Sequence, residues 1–239
     1  MHGFRKRMRE NSPLVSVIIA VRNGERFLAQ AIESVLNSDY RPIEILIVDG
    51  QSADKTEEIA RSYPLVRYIC QPNTGISEAY NLGIKGAEGE FVAFNSHDDV
   101  WTNDKLRLQV EYLIRHPEIQ YVTAKAKFFL EVECEIPSGF RQELLEGEHV
   151  SHIMETLVAR KSLFQIIGTF NPKLSTAEDV DWFARAKDQQ ISMHVIQKVL
   201  LHKRVHDENL SLHHKRNNQN LLRVVKGSLN RKHSRATLE

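Results

Sequence analysis

Apolar residues run in short blocks through the first half of the chain, and the blocks alternate with stretches of a different period. Residues 14–21 (LVSVIIAV) are rich in β-branched side chains and too few for a buried helix, which predicts a central strand. Residues 43–48, 66–70, 91–94 and 121–126 repeat that signature. Between the first two blocks, Phe27, Leu28, Ala31, Ile32, Val35 and Leu36 recur at helical spacing and predict a helix over residues 25–36. Asp54 is a natural N-cap for a helix reaching to about Tyr63. Gly75 precedes a helix from Ile76 to about Ala87, and Asn103 or Asp104 caps one running to about His116. Asn23-Gly24, Pro42 and Asp49-Gly50 punctuate the transitions.

Strands alternating with helices imply an α/β fold with a mostly parallel sheet covered on both faces. In such open sheets ligands bind beyond the carboxyl ends of the strands. Polar residues collect at those ends: Asn23 after the first block, Asp49 and Ser52 after the second, Asp98 and Asp99 after the fourth. The second half is less regular. Glu131, Glu133 and Glu135 alternate with Val132 and Ile136, which suggests an exposed hairpin or lid. Residues 161–167 and 178–187 read as helices. Residues 217–228 carry Leu221, Leu222, Val224 and Val225 among basic residues, an amphipathic helical pattern.

Composition narrows the function classes. The chain has 239 residues, 41% of them apolar, and a formal net charge of +1, which argues against a dedicated nucleic-acid binder. The charge is unevenly spread. Residues 1–13 hold four basic groups and one acid, and residues 214–239 hold seven and one, leaving twenty-one bases against twenty-nine acids between them. An acidic body with basic ends suggests either solvated termini or attachment to an anionic membrane surface. Cys70 and Cys134 show no paired spacing, so a reducing compartment is expected. No apolar h-region follows the basic N-terminus, and no stretch is long enough to span a bilayer, so a cytoplasmic location is expected, with peripheral contact at the inner membrane face.

Three acids and a histidine stand out. Asp98 and Asp99 are adjacent carboxylates after a buried strand, and such a pair repels unless a cation lies between. Mg²⁺ or Mn²⁺ bridging to diphosphate oxygens would answer that repulsion, whereas a turn with a helix N-cap is the plainer reading of the pair alone. Asp179 sits at the start of a predicted helix, where it either caps the N-terminus or serves as a general base. Arg204 and His206 alternate on one strand face, from which both could point at a diphosphate or metal. His149 and His152 have helical spacing but no third ligand.

In order, five segments resemble a family 2 glycosyltransferase, the inverting class with a GT-A fold. Residues 13–24 resemble its opening strand and nucleotide loop, and 48–56 its second nucleotide-contacting segment. Residues 75–83, with Ala79 and Asn81, resemble the stretch before the metal motif, 94–101 the metal motif itself, and 170–185 the region of the base. The resemblance spans residues 13–212. It implies donor contacts from Ala20, Val21, Asn23, Glu25, Asp49, Ser52, Asn81, His97 and Asp98. It also implies a divalent cation on Asp99, with help from Asp98 and His206, and Asp179 as the base. Four departures stand out: Gly50 where a uracil-reading Asp is common, Arg22 where Tyr often stacks on the base, Tyr80 where Arg is frequent, and Ser96 in place of an acid.

The expected organisation is a basic arm (1–13), a nucleotide-sugar-binding half (14–127), an acceptor and catalytic half of the same domain (128–212) and a basic amphipathic tail (213–239). The expected reaction moves a sugar from a nucleotide-diphosphate sugar, by default a UDP-sugar, to the hydroxyl of a saccharide or lipid-linked saccharide. Its expected setting is the synthesis of cell-surface polysaccharide or glycoconjugate. A catalytically inactive nucleotide-sugar-binding protein of the same fold is the alternative, motivated by Gly50, Tyr80 and Ser96. No nucleic-acid partner is expected.

Overall fold

The computed structural model describes residues 12–209 and 214–236. Its first half alternates as the pattern predicts: β1 (Val15–Val21), α1 (Leu28–Leu36), β2 (Ile43–Asp49), α2 (Thr56–Arg61), β3 (Val66–Cys70), α3 (Ile76–Gly86) and β4 (Phe91–Ser96). A short β5 (Val100–Trp101), α4 (Lys105–Arg115) and β6 (Tyr121–Leu130) follow. The second half holds β7 (His149–Ser151), β8 (Val158–Arg160), α5 (Leu163–Ile166), α6 (Glu178–Asp188), β9 (Met193–Val205) and α7 (His214–Ala236). One sheet runs β3-β2-β1-β4-β8-β6-β9-β5, with β7 added to β6. The β3, β2, β1 and β4 neighbours are all parallel, and β8 then enters antiparallel to β4.

The period of two along each strand splits the core into two faces. Val15, Val17 and Ile19 of β1 pack with Leu28, Ile32 and Val35 of α1 and with Leu106, Val110 and Leu113 of α4. Ile18 faces the other way, with Tyr80 and Ile84 of α3, Phe94, Phe164, Phe170 and Trp182. Each such buried side chain contributes about 1.5–3 kcal/mol, so the two layers hold the sheet between them. Helix α3 lies so near β1 that a Cβ on Gly83 would stand 2.4 Å from Ile18 Cγ2.

The structure differs from the sequence pattern at several points. Helix α1 begins at Leu28 rather than at residue 25, because the Phe27 and Leu28 amides both turn back to the Gly24 carbonyl. The 131–136 segment forms turns and no hairpin strands. Glu131 is drawn inward to an ion pair with Arg204, so it is not part of an exposed charged face. His149 sits on strand β7, not on a helix, and its Nε2 meets the Glu146 carbonyl at 2.9 Å. The predicted tail helix exists and is longer, spanning 23 residues. One side of it docks on α6: Val224 is buried, Asn220 Nδ2 donates to Thr176 Oγ1 at 3.0 Å, and Ser228 and Arg231 both donate to Asp188. Residues 1–11 of the basic arm lie outside the described residues.

Candidate active site

Register brings three strand ends level. Ala20 of β1 faces Val48 of β2 and Ser96 of β4, so the loops after each strand open at one edge. The first two loops are stapled together by short polar side chains. The Asn23 amide N–H donates to Ser52 Oγ at 2.8 Å, and Asn23 Oδ1 accepts from the Ala53 amide at 3.0 Å. Glu25 accepts from the Lys55 amide, while its own amide donates to Asp54. Asp49 is buried, with Oδ1 accepting from the Ser52 amide and hydroxyl and Oδ2 accepting from the Tyr68 hydroxyl at 2.6 Å. Asn23, Glu25, Asp49 and Ser52 therefore shape the loop pair from within. His97 closes this edge: a Cβ on Gly24 would stand 2.5 Å from Val21 Cγ2 and 3.0 Å from His97 Cδ2, so only glycine allows the loop to lie so close. Arg22 is exposed, and its stem packs over Gly50.

The two adjacent acids have opposite surroundings. Asp99 has no exposed surface. Its Oδ1 accepts from the Arg204 amide at 2.9 Å and its Oδ2 from Lys203 Nζ at 2.8 Å. Lys203 Nζ also lies 3.3 Å from Glu155 Oε1. Burial alone would lower the Lys203 ammonium, but Asp99, Glu155 and Asp98 around it push its pKa well up, so it stays charged. Asp98 turns the other way. Its Oδ2 accepts from Asn209 Nδ2 at 3.1 Å and lies 3.0 Å from His206 Nε2. The Glu208 amide donates to His206 Nδ1, which leaves the ring proton on Nε2 and directs it at Asp98. Asp98 Oδ1 is buried with no hydrogen-bond partner among the described residues. Burial pushes the Asp98 carboxyl up, but the His206 hydrogen bond and the nearby His97 and Lys203 outweigh it and hold the group well below the usual carboxylate range.

Arg204 is not free to meet a ligand. Its Nε donates to the Asp98 carbonyl at 2.8 Å, its other nitrogens reach Glu131 and Gln30, and the guanidinium lies between the Phe27 and Phe129 rings. It braces the Asp98 backbone instead of facing a diphosphate.

Asp179 lies in the first turn of α6, which Ala177 enters in a left-handed conformation (φ 62°). Trp182, fully buried against Tyr121 and Phe164, anchors that helix to the core. The segment leading into α6 is pinned from three sides. Asn81 exchanges two hydrogen bonds with the Phe170 backbone, Ser77 Oγ donates to the Leu174 carbonyl, and Arg185 reaches the Ile167, Gly168 and Thr169 carbonyls. Asn81 thus works as a clamp on this segment. Asp179 Oδ1 accepts from the Val180 amide at 2.7 Å. Burial and the charge of Glu155 raise the Asp179 pKa against the pull of that bond and of Lys203. Its neighbour Glu178 is raised too, by burial and by Asp179. Tyr80, in the core against Phe94 and Phe170, feels the charges of Glu155, Glu178, Asp179 and Asp99 together. Asp99, Lys203 and Glu155 are thus joined by ion pairs, and the charges of Glu155 and Lys203 act on Asp179 at the α6 start.

Glu155, Lys203 and Asn209 were not picked out from sequence. Glu155 lies in an irregular stretch with no period to mark it. Lys203 stands beside the noticed Arg204, one position out of phase. Among the described residues, no three His, Cys, Asp or Glu side chains gather with metal-binding geometry. An ion here would complete its shell with groups from a ligand.

Comparison with known proteins adds identity to this geometry. The profile of glycosyl transferase family 2 matches residues 16–168. An uncharacterised glycosyltransferase of Rickettsia typhi is 33% identical over 217 residues, covering 84% of this chain and 67% of that protein. A counterpart in Rickettsia prowazekii is 32% identical over 214 residues, covering 83% and 67%. Among solved structures, S. aureus TarS 1-349 in complex with UDP superposes with a TM-score of 0.65 at 22% identity, covering 80% of this chain and 60% of that one. The mannosyltransferase PcManGT of Pyrobaculum calidifontis, in complex with GDP-Man and Mn²⁺, gives 0.71 at 17% identity, covering 96% and 71%. At these identities the two structures speak for the fold.

Proposed function

Because the chain belongs to glycosyl transferase family 2 and has the GT-A fold, we propose that it transfers a sugar from a nucleoside-diphosphate sugar to an acceptor hydroxyl with inversion. The observation that carries the reading is the contrast between Asp98 and Asp179. One buried carboxylate oxygen of Asp98 at the β4 end is left without a partner among the described residues, and Asp179 is a carboxylate whose proton affinity is raised by burial and by the charge of Glu155, itself ion-paired to Lys203. The first suits a cation, and the second suits a base working near neutral pH.

The donor set fits Mg²⁺ or Mn²⁺ held by one carboxylate and the donor's own diphosphate, a usual arrangement for these ions. Asp98 would hold it through Oδ1. Asp99 has both oxygens engaged by Lys203 and the Arg204 amide, which leaves it to the framework, and His206 turns its proton toward Asp98 Oδ2 and so positions that carboxylate. The cation, when bound, supplies positive charge against the departing diphosphate.

This chain's residues do the rest. The stapled 22–27 and 50–55 loops, with Ala20 and Val21 beneath them and His97 beside them, cradle the nucleotide. Asp179 takes the proton of the acceptor hydroxyl. The acceptor oxygen forms its bond to the anomeric carbon as the bond from that carbon to the diphosphate oxygen breaks, and that electron pair leaves with the diphosphate. A base so placed contributes ~10²–10⁴-fold.

We take a UDP-sugar as the default donor. The related folds hold UDP, UDP-GlcNAc or GDP-Man in their own complexes. A lipid-linked saccharide at the cytoplasmic face of the membrane, in surface-glycan synthesis, is the acceptor this reading favours. The test is a panel of nucleoside-diphosphate sugars scored by thermal shift and by hydrolysis, with Mn²⁺ and with chelator. At least one donor should stabilise the protein only when the cation is present. No shift and no turnover with any donor would refute the reading.

A further inference from the structure

The side of α7 turned away from α6 is not a solvated polar face. Leu222, Val225 and Leu229 stand on it 71%, 56% and 51% exposed, and their spacing makes one stripe along the helix. Exposed Arg223 and Lys226 flank the stripe on one side; Lys232 on the other is exposed but its Nζ lies 3.9 Å from Asp188 Oδ1. Residues 214–236 contain no Asp or Glu. The orientation is fixed from the inner side, since Ser228 and Arg231 both hold Asp188 and Val224 is buried. The stripe cannot turn inward without breaking those contacts. Near its start the helix is tied through Asn220 to Thr176, three positions before the proposed base.

We propose that this face of α7 rests on an anionic phospholipid bilayer, its apolar stripe in the headgroup boundary and its bases over the lipid phosphates. Charge selects this occupant. A second copy docked face to face would set one acid-free basic helix against another, and like charges would oppose it. An anionic lipid surface complements the bases and the stripe at once. Among the described residues no helix is long and apolar enough to cross a membrane, so α7 would lie on the bilayer. The proposal rests on the proposed transfer reaction and extends it, since the helix that would lie on the bilayer is the one tied through Asn220 to Thr176 at the approach to α6.

The experiment is co-sedimentation with vesicles of phosphatidylcholine, with and without phosphatidylglycerol, at low and high salt. The protein should pellet with the anionic vesicles only and be released by salt. Arg223→Gln with Lys226→Gln should weaken partitioning roughly thirty-fold, at ~1 kcal/mol for each basic group. Leu222→Ser with Leu229→Ser should weaken it at constant charge. All four side chains are exposed, so melting temperatures should not move. Equal pelleting on neutral vesicles, or no loss in either double variant, overturns the proposal. So does a dimer in light scattering that these variants abolish, because the face would then belong to a second copy. Binding is read without donor or acceptor, so its failure and a failure of the transfer reading are separate results.

Discussion

Lys203 Nζ lies 2.8 Å from Asp99 Oδ2, and that carboxylate has no exposed surface. A pair so placed gains little net stability over an apolar pair of the same shape, because both charges give up water. Breaking it is another matter, since the survivor is left buried and uncompensated.

Lys203→Met should therefore cost about 3–5 kcal/mol of folding stability, and Lys203→Met with Asp99→Asn should cost less than the two single changes added together. Urea unfolding of the three variants checks this. A loss under about 1 kcal/mol for Lys203→Met would mean the pair behaves as a surface ion pair.

Asp98 and Asp99 should separate in their failures. Asp98→Ala should keep the fold and lose cation-dependent nucleoside-diphosphate binding, as read by calorimetry with Mn²⁺ and with chelator. Asp99→Ala should mainly lower the melting temperature. If Asp99→Ala folds normally and loses cation dependence while Asp98→Ala keeps it, the cation belongs on Asp99.

Asp179→Asn should lower kcat at least ~100-fold and leave donor affinity within a few-fold, because the amide keeps the shape without the basicity. The pH profile adds a direction. Burial and Glu155 raise the Asp179 pKa, and the base works only when ionised, so kcat should fall as pH drops through a value above the ordinary ~3.9. Glu155→Gln removes a neighbouring negative charge and should move that acidic limb to lower pH. An unmoved limb would show that another group sets it.

Nucleotide preference should follow the Arg22–Gly50 contact. A Cβ on Gly50 would lie 3.5 Å from Arg22 Cβ and from the Val21 carbonyl oxygen, ordinary contact distances, so Gly50→Asp can be accommodated. Wild type should discriminate weakly for uridine diphosphate in competition binding. Gly50→Asp should raise that preference about five- to a hundred-fold, from the ~1–3 kcal/mol of one satisfied or unsatisfied polar group. A hundredfold uridine preference in wild type would show that some other residue reads the base.

The sequence made the parallel half of the fold readable because each strand there is an apolar block and each helix keeps one period. It also put Asp98 and Asp99 after a buried strand and Asp179 at a helix start, as the fold has them. It could not say that the two adjacent acids face different partners, because Lys203, Arg204, His206 and Asn209 come from a distant strand and the turn after it. Arg204 and His206 looked alike as alternating residues on one strand. In the fold the arginine is enclosed by Phe27 and Phe129 while the imidazole meets Asp98. Glu131 read as an exposed charge because its partner lies 73 positions away.

The same long-range pairing fixes an order of events during synthesis. The groups that satisfy Asp98 and Asp99 lie 104, 105, 108 and 111 positions further along the chain. As the polypeptide leaves the ribosome, the loops after β1 and β2 and their strands emerge well before β9, the strand that brings Lys203 and the Arg204 amide to Asp99. Until β9 inserts between β6 and β5, the carboxylates at the end of β4 have only water and each other, so that end of the sheet must stay open or hydrated. The surroundings of these acids are thus completed late although the acids themselves are made early, and a chain truncated before β9 should leave both carboxylates without their native partners.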